Sequence, residues 1–402
     1  MNRIEEMIRE LCPNGVEYKA LGEIGTFVRG NGLQKKDFMD EGVGCIHYGQ
    51  IYTYYNLFAS QTKSYVDPIL ARKLTKVKTG DIIIACTSEN IEDVCKAIAW
   101  LGEDEIVTGG HACVFSHEQN PKYISYFFNT DNFFQQKKKY ARGAKVVDIK
   151  VGDIAKIEIP VPPLAIQNEI VNILDKFTEL EAELEAELEA RRKQYEYYRN
   201  KLLNFNEFTP PQKIEVKWLI LKNICDCGIG SKPACIMNDN TLFEYINAGT
   251  TNSGYTTESN CDGDTITTPS RGQGGIGFVG YQAKPFWLGP LCYKIRSKDP
   301  NVLTKYIFYT LVANNNKILS LKKEGGTPAL NLSDLQMIVI PIPPMEEQQR
   351  IVAILDKFET LVTDISEGLP AEIAARRQQY EYYRDKLLTF KRKEDAKIQP
   401  CC

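Results

Sequence analysis

Apolar residues recur at helical spacing in two long stretches of this chain and at strand spacing in the segments that precede each of them. In the first stretch, after Pro162-Pro163, Ile170, Ile173, Leu174, Phe177, Leu180, Leu184 and Leu188 return every three or four residues, followed by Tyr195, Tyr198 and Leu202. That period predicts one amphipathic helix of about 40 residues, roughly 60 Å long at ~1.5 Å per residue. The second stretch repeats the spacing with Ile351, Ile354, Leu355, Phe358, Leu361 and Ile365, then meets Gly368-Leu369-Pro370, which should break or kink the helix. Ahead of the helices, Asp81-Ile82-Ile83-Ile84-Ala85 and Asp264-Thr265-Ile266-Thr267-Thr268 predict strands, and a helix is expected from near Pro121 to Tyr140.

The two helical stretches are copies. Ile159-Pro160-Val161-Pro162-Pro163 recurs as Ile340-Pro341-Ile342-Pro343-Pro344, and Ile173-Leu174-Asp175-Lys176-Phe177 recurs unchanged from Ile354 to Phe358, both 181 positions later (159 to 340, 173 to 354). Gln194-Tyr195-Glu196-Tyr197-Tyr198-Arg199 recurs from Gln379 to Arg384 at an offset of 185, so four extra residues lie in the second copy between Phe358 and Arg376. The preceding segments match more faintly. Gly80-Asp81 pairs with Gly263-Asp264, and Lys122-Tyr123-Ile124 with Lys305-Tyr306-Ile307. These last come after Asn120-Pro121 and Asp299-Pro300, where a polar cap and a first-turn proline signal a helix start. Constant helices on divergent domains imply one job kept and another made different twice.

The pattern predicts an α+β chain with an internal duplication: a first β-rich domain over 1–160, a spacer helix over 161–205, a second β-rich domain over 206–341, a second spacer helix over 342–392 and a polar tail over 393–402. A helix this long needs an apolar partner along its length. The other copy is the nearest candidate, in an antiparallel coiled coil that carries the domains to opposite ends; parallel pairing across two chains is the alternative.

Composition narrows the function. A length of 402 residues allows two or three cores. With 49 Lys+Arg against 52 Asp+Glu the net charge is −3, so any attraction for nucleic acid must be local. No run of 18 apolar residues occurs and the chain opens with Arg3, Glu5 and Glu6, which reads as a soluble, cytoplasmic protein without a membrane partner. Twelve scattered cysteines read as reduced, mostly buried thiols.

Enzymatic motifs fail on inspection. Gly272-Gln273-Gly274-Gly275-Ile276-Gly277 fits a dinucleotide pattern, but Phe278 to Pro285 is no helix, so a phosphate would meet no helix start. Gly228 to Lys232 lacks the Walker spacing, and no Asn/Asp-Pro-Pro-aromatic methyltransferase motif occurs. His47, His111 and His117 lack a metal-ligand spacing, and Cys225-Asp226-Cys227 lacks a second pair. No catalytic residue, metal or cofactor is expected in this chain.

These features together resemble the specificity subunit of a Type I restriction-modification system. Pro343-Pro344-Met345-Glu346-Glu347-Gln348-Gln349-Arg350-Ile351-Val352, with Leu355, fits the family's Pro-Pro-x-x-Glu-Gln-x-x-Ile-Val-x-x-Leu pattern, whereas the first copy has Ile166-Gln167 where Glu-Gln is expected. The resemblance implies a non-catalytic subunit with two target-recognition domains, each reading half of a bipartite, asymmetric double-stranded DNA site. It implies paired helices that dock two modification subunits, which bind S-adenosylmethionine and methylate adenine, and restriction subunits that join them. A coiled-coil scaffold with protein- or carbohydrate-binding domains is the alternative that the near-neutral charge permits.

Reading a DNA sequence takes donors and acceptors at base edges and cations at phosphates. In the first domain the candidates are Thr87, Ser88 and Asn90, with His47, Tyr48 and Gln50, and the cations Arg72, Lys73 and Lys76; Lys137-Lys138-Lys139, Arg142 and Lys145 form a second basic cluster. In the second domain they are Ser270, Arg271 and Gln273, then Thr250 and Asn252, with Lys322 and Lys323 for phosphate. Tyr195, Tyr198, Tyr380 and Tyr383 suit a helix–helix seam. Tyr197 and Tyr382 point elsewhere and are candidates for docking the modification subunits.

Overall fold

The computed structural model describes residues 2–143, 145–205, 215–272, 274–323, 328–364 and 367–393; Gln273, Ile365 and the tail from 394 lie outside the described residues. The chain divides into two compact units, residues 1–183 with 373–402 and residues 184–372. Each unit therefore combines one β domain with part of both spacer helices. The first spacer helix, Leu164–Leu203, is unbroken and passes from one unit to the other between Glu183 and Leu184.

In the first unit a five-stranded sheet has the order Gly25–Arg29, Ala112–His117, Ile82–Ala85, Ala97–Trp100, Phe58–Ala59. Its strands alternate with period two. Ile82, Ile84, Ala97, Ala99, Cys113 and Phe115 face the core shared with the helices, and Ile83, Ala85, Ile98, Trp100, Ala112 and Val114 face a second cluster with Ile46 and Ile51. Burial on both faces is why Ile82 to Ala85 reads as a continuous apolar run. The second unit repeats the first four positions of that order, Cys225–Ile229, Cys292–Ser297, Thr265–Pro269, Gly280–Gln282. A smaller sheet also recurs: the parallel pair Val43–Ile46 with Ile106–Thr108 matches Phe243–Ile246 with Trp287–Leu288. The duplication that is faint in the domain sequences is thus plain in their topology.

Two helix expectations need correction. The segment from Pro121 to Tyr140 forms two helices, Pro121–Phe127 and Asp131–Lys137. Thr130 separates them: its Oγ1 donates to the Phe127 carbonyl at 2.7 Å and accepts the Phe133 N–H at 3.2 Å, closing one helix and capping the next. Asn120 caps the first of these as expected, accepting from the N–H groups of Lys122 and Tyr123. In the second copy the helix starts at Thr304 rather than Pro300, because the Asp299 carboxylate closes a local turn with the N–H and side chain of Asn301.

The residues constant between copies fasten each domain to a spacer helix. Gln167 is fully buried; its Oε1 accepts the Asn120 N–H at 3.0 Å and its Nε2 donates to the Pro162 carbonyl at 2.8 Å. Gln348, 181 positions on, accepts from Leu303 N–H at 3.0 Å and donates to Pro343 at 2.8 Å. Asp175 holds Lys122 at 2.6 Å and the Tyr126 hydroxyl at 2.7 Å, and Asp356 holds Lys305 at 2.9 Å and Tyr309 at 2.5 Å. Gln167→Leu is expected to destabilise the first unit and Gln348→Leu the second, each by about 3 kcal/mol, because buried backbone groups lose their partners. Denaturant unfolding of the full chain checks this, and a loss below about 1 kcal/mol would show that water replaces the amide.

The second spacer helix is broken as expected, into Met345–Thr363 and Leu369–Leu387. A Cβ on Gly368 would lie 2.4 Å from the Thr360 carbonyl oxygen, so only glycine closes this turn. In the first unit Phe177 stacks on Tyr383 at 5.6 Å, and in the second Tyr198 stacks on Phe358 at 5.7 Å. Early residues of one helix thus meet late residues of the other, an antiparallel coiled coil. Residues 388–392, expected to be helical, instead pack on the first domain. Tyr18 Oη donates to the Phe390 carbonyl at 3.0 Å, and Val16 N–H donates to Lys391 at 2.9 Å.

The ten described cysteines are free thiols, six of them buried. No described helix is long and apolar enough to cross a membrane. Among the described residues no group of three or more His, Cys, Asp or Glu is placed to hold a metal ion.

Candidate nucleic-acid interface

In both copies a glycine lets two loops meet at the end of the main sheet. A Cβ on Gly30 would lie 2.0 Å from the Gly109 carbonyl oxygen, and one on Gly230 would lie 2.0 Å from that of Leu288. In the first domain the loops Gly32–Lys35 and Gly110–His111, together with His47 and Tyr48, line an open cleft of about 380 Å³.

The short helix Tyr48–Thr53 sets the cleft's aromatic wall. His47 caps it, Nδ1 accepting the Gly49 N–H at 3.1 Å, while Gln50 reaches back, its Oε1 accepting the His47 N–H at 3.0 Å. The Gln50 Nε2 donates to Ser64 at 2.8 Å, so this side chain positions His47 rather than facing the cleft. Tyr48 lies between His47 and His111, with ring centroids 4.4 and 4.8 Å away. Burial pushes the His47 pKa down, and the charges of Lys35 and His111 push the same way. His47 is therefore neutral at neutral pH and its cap bond is intact. Thr87 joins the set, 3.2 Å from His111 Nδ1, and its carbonyl accepts the Tyr52 hydroxyl at 2.8 Å. Lys73 is exposed nearby, its carbonyl accepting the Asn31 amide at 3.0 Å.

Other first-domain candidates are placed differently. Ser88 pairs with Val147 in a short ladder behind Thr87. Asn90 spends its amide on a turn with Asp93, donating at 2.8 Å and accepting at 2.7 Å. Lys76 pairs with Glu105 at 3.4 Å and Arg142 with Asp153 at 3.7 Å, while Arg72 and Lys145 are exposed. Lys137 is only 4% exposed and donates to the Glu92 and Val94 carbonyls at 2.7 Å each. It anchors the 86–96 loop and is no phosphate contact, a correction to the basic-cluster reading.

In the second domain Thr250 and Asn252 line a cleft of about 480 Å³. Ser270 is buried, its backbone bonded to Leu291 and Leu330, which removes it as an open base reader. Arg271 is exposed, and Ala329 forms an isolated bridge with each of Arg271 and Lys323, bringing the segments of these two basic residues together. Lys323 also pairs with Asp334 at 3.5 Å, and Lys322 is half-buried. Gly274 to Gly277 form a turn, and a strand, Gly280–Gln282, follows instead of a helix. Sequence reasoning missed Lys35 and His111. The available signal was the pair of glycine-rich segments, Gly30-Asn31-Gly32 and Gly109-Gly110, flanking them.

The third histidine sits apart. His117 accepts the Gln119 N–H through Nδ1 at 3.1 Å, its Nε2 is buried without a partner, and burial pushes its pKa down to about 4, against the opposing pull of Asp81. Its folded pKa lies below the unfolded value of about 6.5, so its contribution is complete above pH 6.5 and is lost as pH falls towards 4. His117→Asn is expected to remove roughly 2–3 kcal/mol of the acid-induced loss of stability, read as the difference between unfolding curves at pH 7 and pH 4.5. Equal acid sensitivity in parent and variant would contradict the assignment.

Comparison with known proteins matches the duplication. A family model described as Type I restriction modification DNA specificity domain matches residues 13–190 and again 215–375. The specificity subunit of the Escherichia coli type I restriction enzyme EcoR124I/EcoR124II is 37% identical over 306 residues, covering 68% of this chain and 72% of that protein. A putative type I restriction enzyme specificity subunit of Haemophilus influenzae is 33% identical over 296 residues, covering 67% and 72%. The crystal structure of a Type-I restriction-modification system S subunit from M. genitalium shares the fold, with a TM-score of 0.59 at 18% identity over 93% of this chain and 96% of that one. A chain solved to explain complex assembly and conformational transition of the type I R-M system reaches 0.63 at 17% identity, over 93% and 97%.

Proposed function

Because the chain belongs to the Type I restriction-modification DNA specificity family, whose members are non-catalytic subunits that direct partner enzymes, we propose that its two domains read the two halves of one interrupted DNA site. The domains contact double-stranded DNA through the two clefts and their basic neighbours, and the asymmetry of the site arises from their unlike loops. Adenine methylation at that site is carried out by two modification subunits docked on the spacer helices, and restriction subunits join the same assembly.

One observation carries this reading. The same sheet order and the same Gln and Asp fastenings occur twice, while the cleft residues differ between copies. A scaffold that holds two unlike readers in equivalent frames suits a two-part target. Lys35 lines the first cleft with Lys73 exposed nearby, and in the second domain Arg271 and Lys323 are brought together by Ala329, which supplies in each domain local positive charge that the net charge of −3 does not.

The test is reconstitution of the full chain with its modification subunits and mapping of methylated adenines. Exchange of residues 206–341 for the corresponding domain of another family member is expected to change one half-site and leave the other intact. A change in both half-sites would end the modular reading, and methylation by the chain alone would end the non-catalytic one.

A further inference from the structure

We infer that the second domain carries a base-reading cleft for which the first has no counterpart, and that Glu244 reads there an exocyclic amino group, that of cytosine or adenine. The inference rests on the DNA-reading role proposed above.

The duplication supplies the starting comparison. In the first domain the sheet face bearing Ile83, Ile98 and Val114 is covered by the helix Tyr48–Thr53, whose Ile51 is fully buried against it. In the second domain the strands of the same order put Thr267, Gln282 and Cys292 along the cleft, and no helix forms between the strands Phe243–Ile246 and Tyr255–Thr256. The place filled by an apolar plug in one copy is an open cleft of about 480 Å³ in the other. Thr267 and Cys292 are buried at the floor of this cleft, Gln282 is half-buried and Glu244 is exposed at its edge, so the second domain presents polar side chains where the first presents a plug.

The chemistry of the cleft selects its occupant. Glu244 is the one charged residue along it, with no Lys or Arg among the lining side chains. Glu244 is exposed, and among the described residues no hydrogen bond or ion pair holds its carboxylate. An uncompensated carboxylate repels phosphate. Against base edges it discriminates, because a carboxylate only accepts hydrogen bonds: cytosine N4 and adenine N6 donate, whereas guanine O6 and thymine O4 do not. Gln282 lines the same cleft; its Nε2 donates to Thr267 Oγ1 at 3.5 Å and keeps a second N–H, so the amide can still both donate and accept, the pairing suited to adenine. The first-domain cleft, with Lys35 and His111, has the opposite polarity.

The experiment maps methylation by the full chain assembled with its modification subunits, for the parent, Glu244→Gln and Glu244→Ala. Glu244→Ala is expected to lose about 10- to 100-fold discrimination at one position of the second half-site, with the first half-site unchanged. Glu244→Gln, which gains a donor, is expected to admit guanine or thymine at that position. Gln282→Leu should relax the same or an adjacent position. An unchanged second half-site, an equal loss on all DNA sequences, or a change in the first half-site would each overturn the inference. A parent complex without a sequence-specific site would instead overturn the DNA-reading role itself, so the two failures are distinguishable.

Discussion

A chain in which Tyr197 and Tyr382 are both replaced by alanine is expected to fold as the parent does and to lose its modification subunits. The two tyrosines occupy equivalent positions in the repeat, 185 residues apart, and are 59% and 60% exposed. Their neighbours Tyr198 and Tyr383 turn into the helix seam against Phe358 and Phe177. Each exposed ring is held by its neighbours: Tyr197 lies edge-on to Tyr198 at 5.3 Å under Lys201 at 5.6 Å, and Tyr382 lies edge-on to Tyr383 at 5.2 Å under Lys386 at 5.7 Å. A preorganised aromatic with a cation beside it loses little entropy on docking, which is what an interface anchor requires. Each Tyr→Ala change is expected to cost about 2 kcal/mol or more at its own site, roughly 30-fold in affinity. Sedimentation with the modification subunit measures the outcome. The single variants should retain one tight site and the double variant none, and two undiminished sites on the double variant would remove these tyrosines from the interface.

Legibility in the sequence tracked chemical constraint. The spacer helices were readable because their apolar period and the repeated Ile-Leu-Asp-Lys-Phe must both be kept for Phe177 and Phe358 to stack in opposite units. The break at Gly368 was readable because only glycine fits against Thr360. The split at Thr130 was not, since the apolar spacing runs on through Phe133 and only the hydroxyl's two bonds stop the helix.

Site residues were less legible, for a physical reason. Polar side chains that local turns consume look the same in sequence as those that remain open. Asn90 is taken by Asp93, Gln50 by the cap of its own helix, and Lys137 by two loop carbonyls, while His111 and Glu244 are left facing clefts. Tertiary placement decides between these fates, and the sequence carried only the glycines that bring the loops together.

Deleting Glu183 to Ala186 is expected to shorten the unread gap between the half-sites by about one to two base pairs while leaving both half-sites intact. Glu-Leu-Glu-Ala occurs three times in succession from Glu179 to Ala190, within the unbroken helix Leu164–Leu203 that joins the two domains. Leu180, Leu184 and Leu188 are half-buried, whereas Glu183, Glu185 and Glu187 are exposed, so one face of this segment packs. Removing four residues shortens a helix by about 6 Å and turns its C-terminal part by only some 40° relative to the former heading, at ~1.5 Å and ~3.6 residues per turn. The apolar face therefore nearly re-registers, at the cost of a local stutter in the coiled coil. Removing two residues instead would turn the C-terminal part by about 200° and set Leu188 on the solvent side, so that variant should lose assembly rather than shift the gap. DNA rises about 3.4 Å per base pair, which converts the 6 Å into the expected one to two base pairs. Methylation-site mapping on both deletions is the measurement. A four-residue deletion with an unchanged gap would show that this segment does not set the spacing.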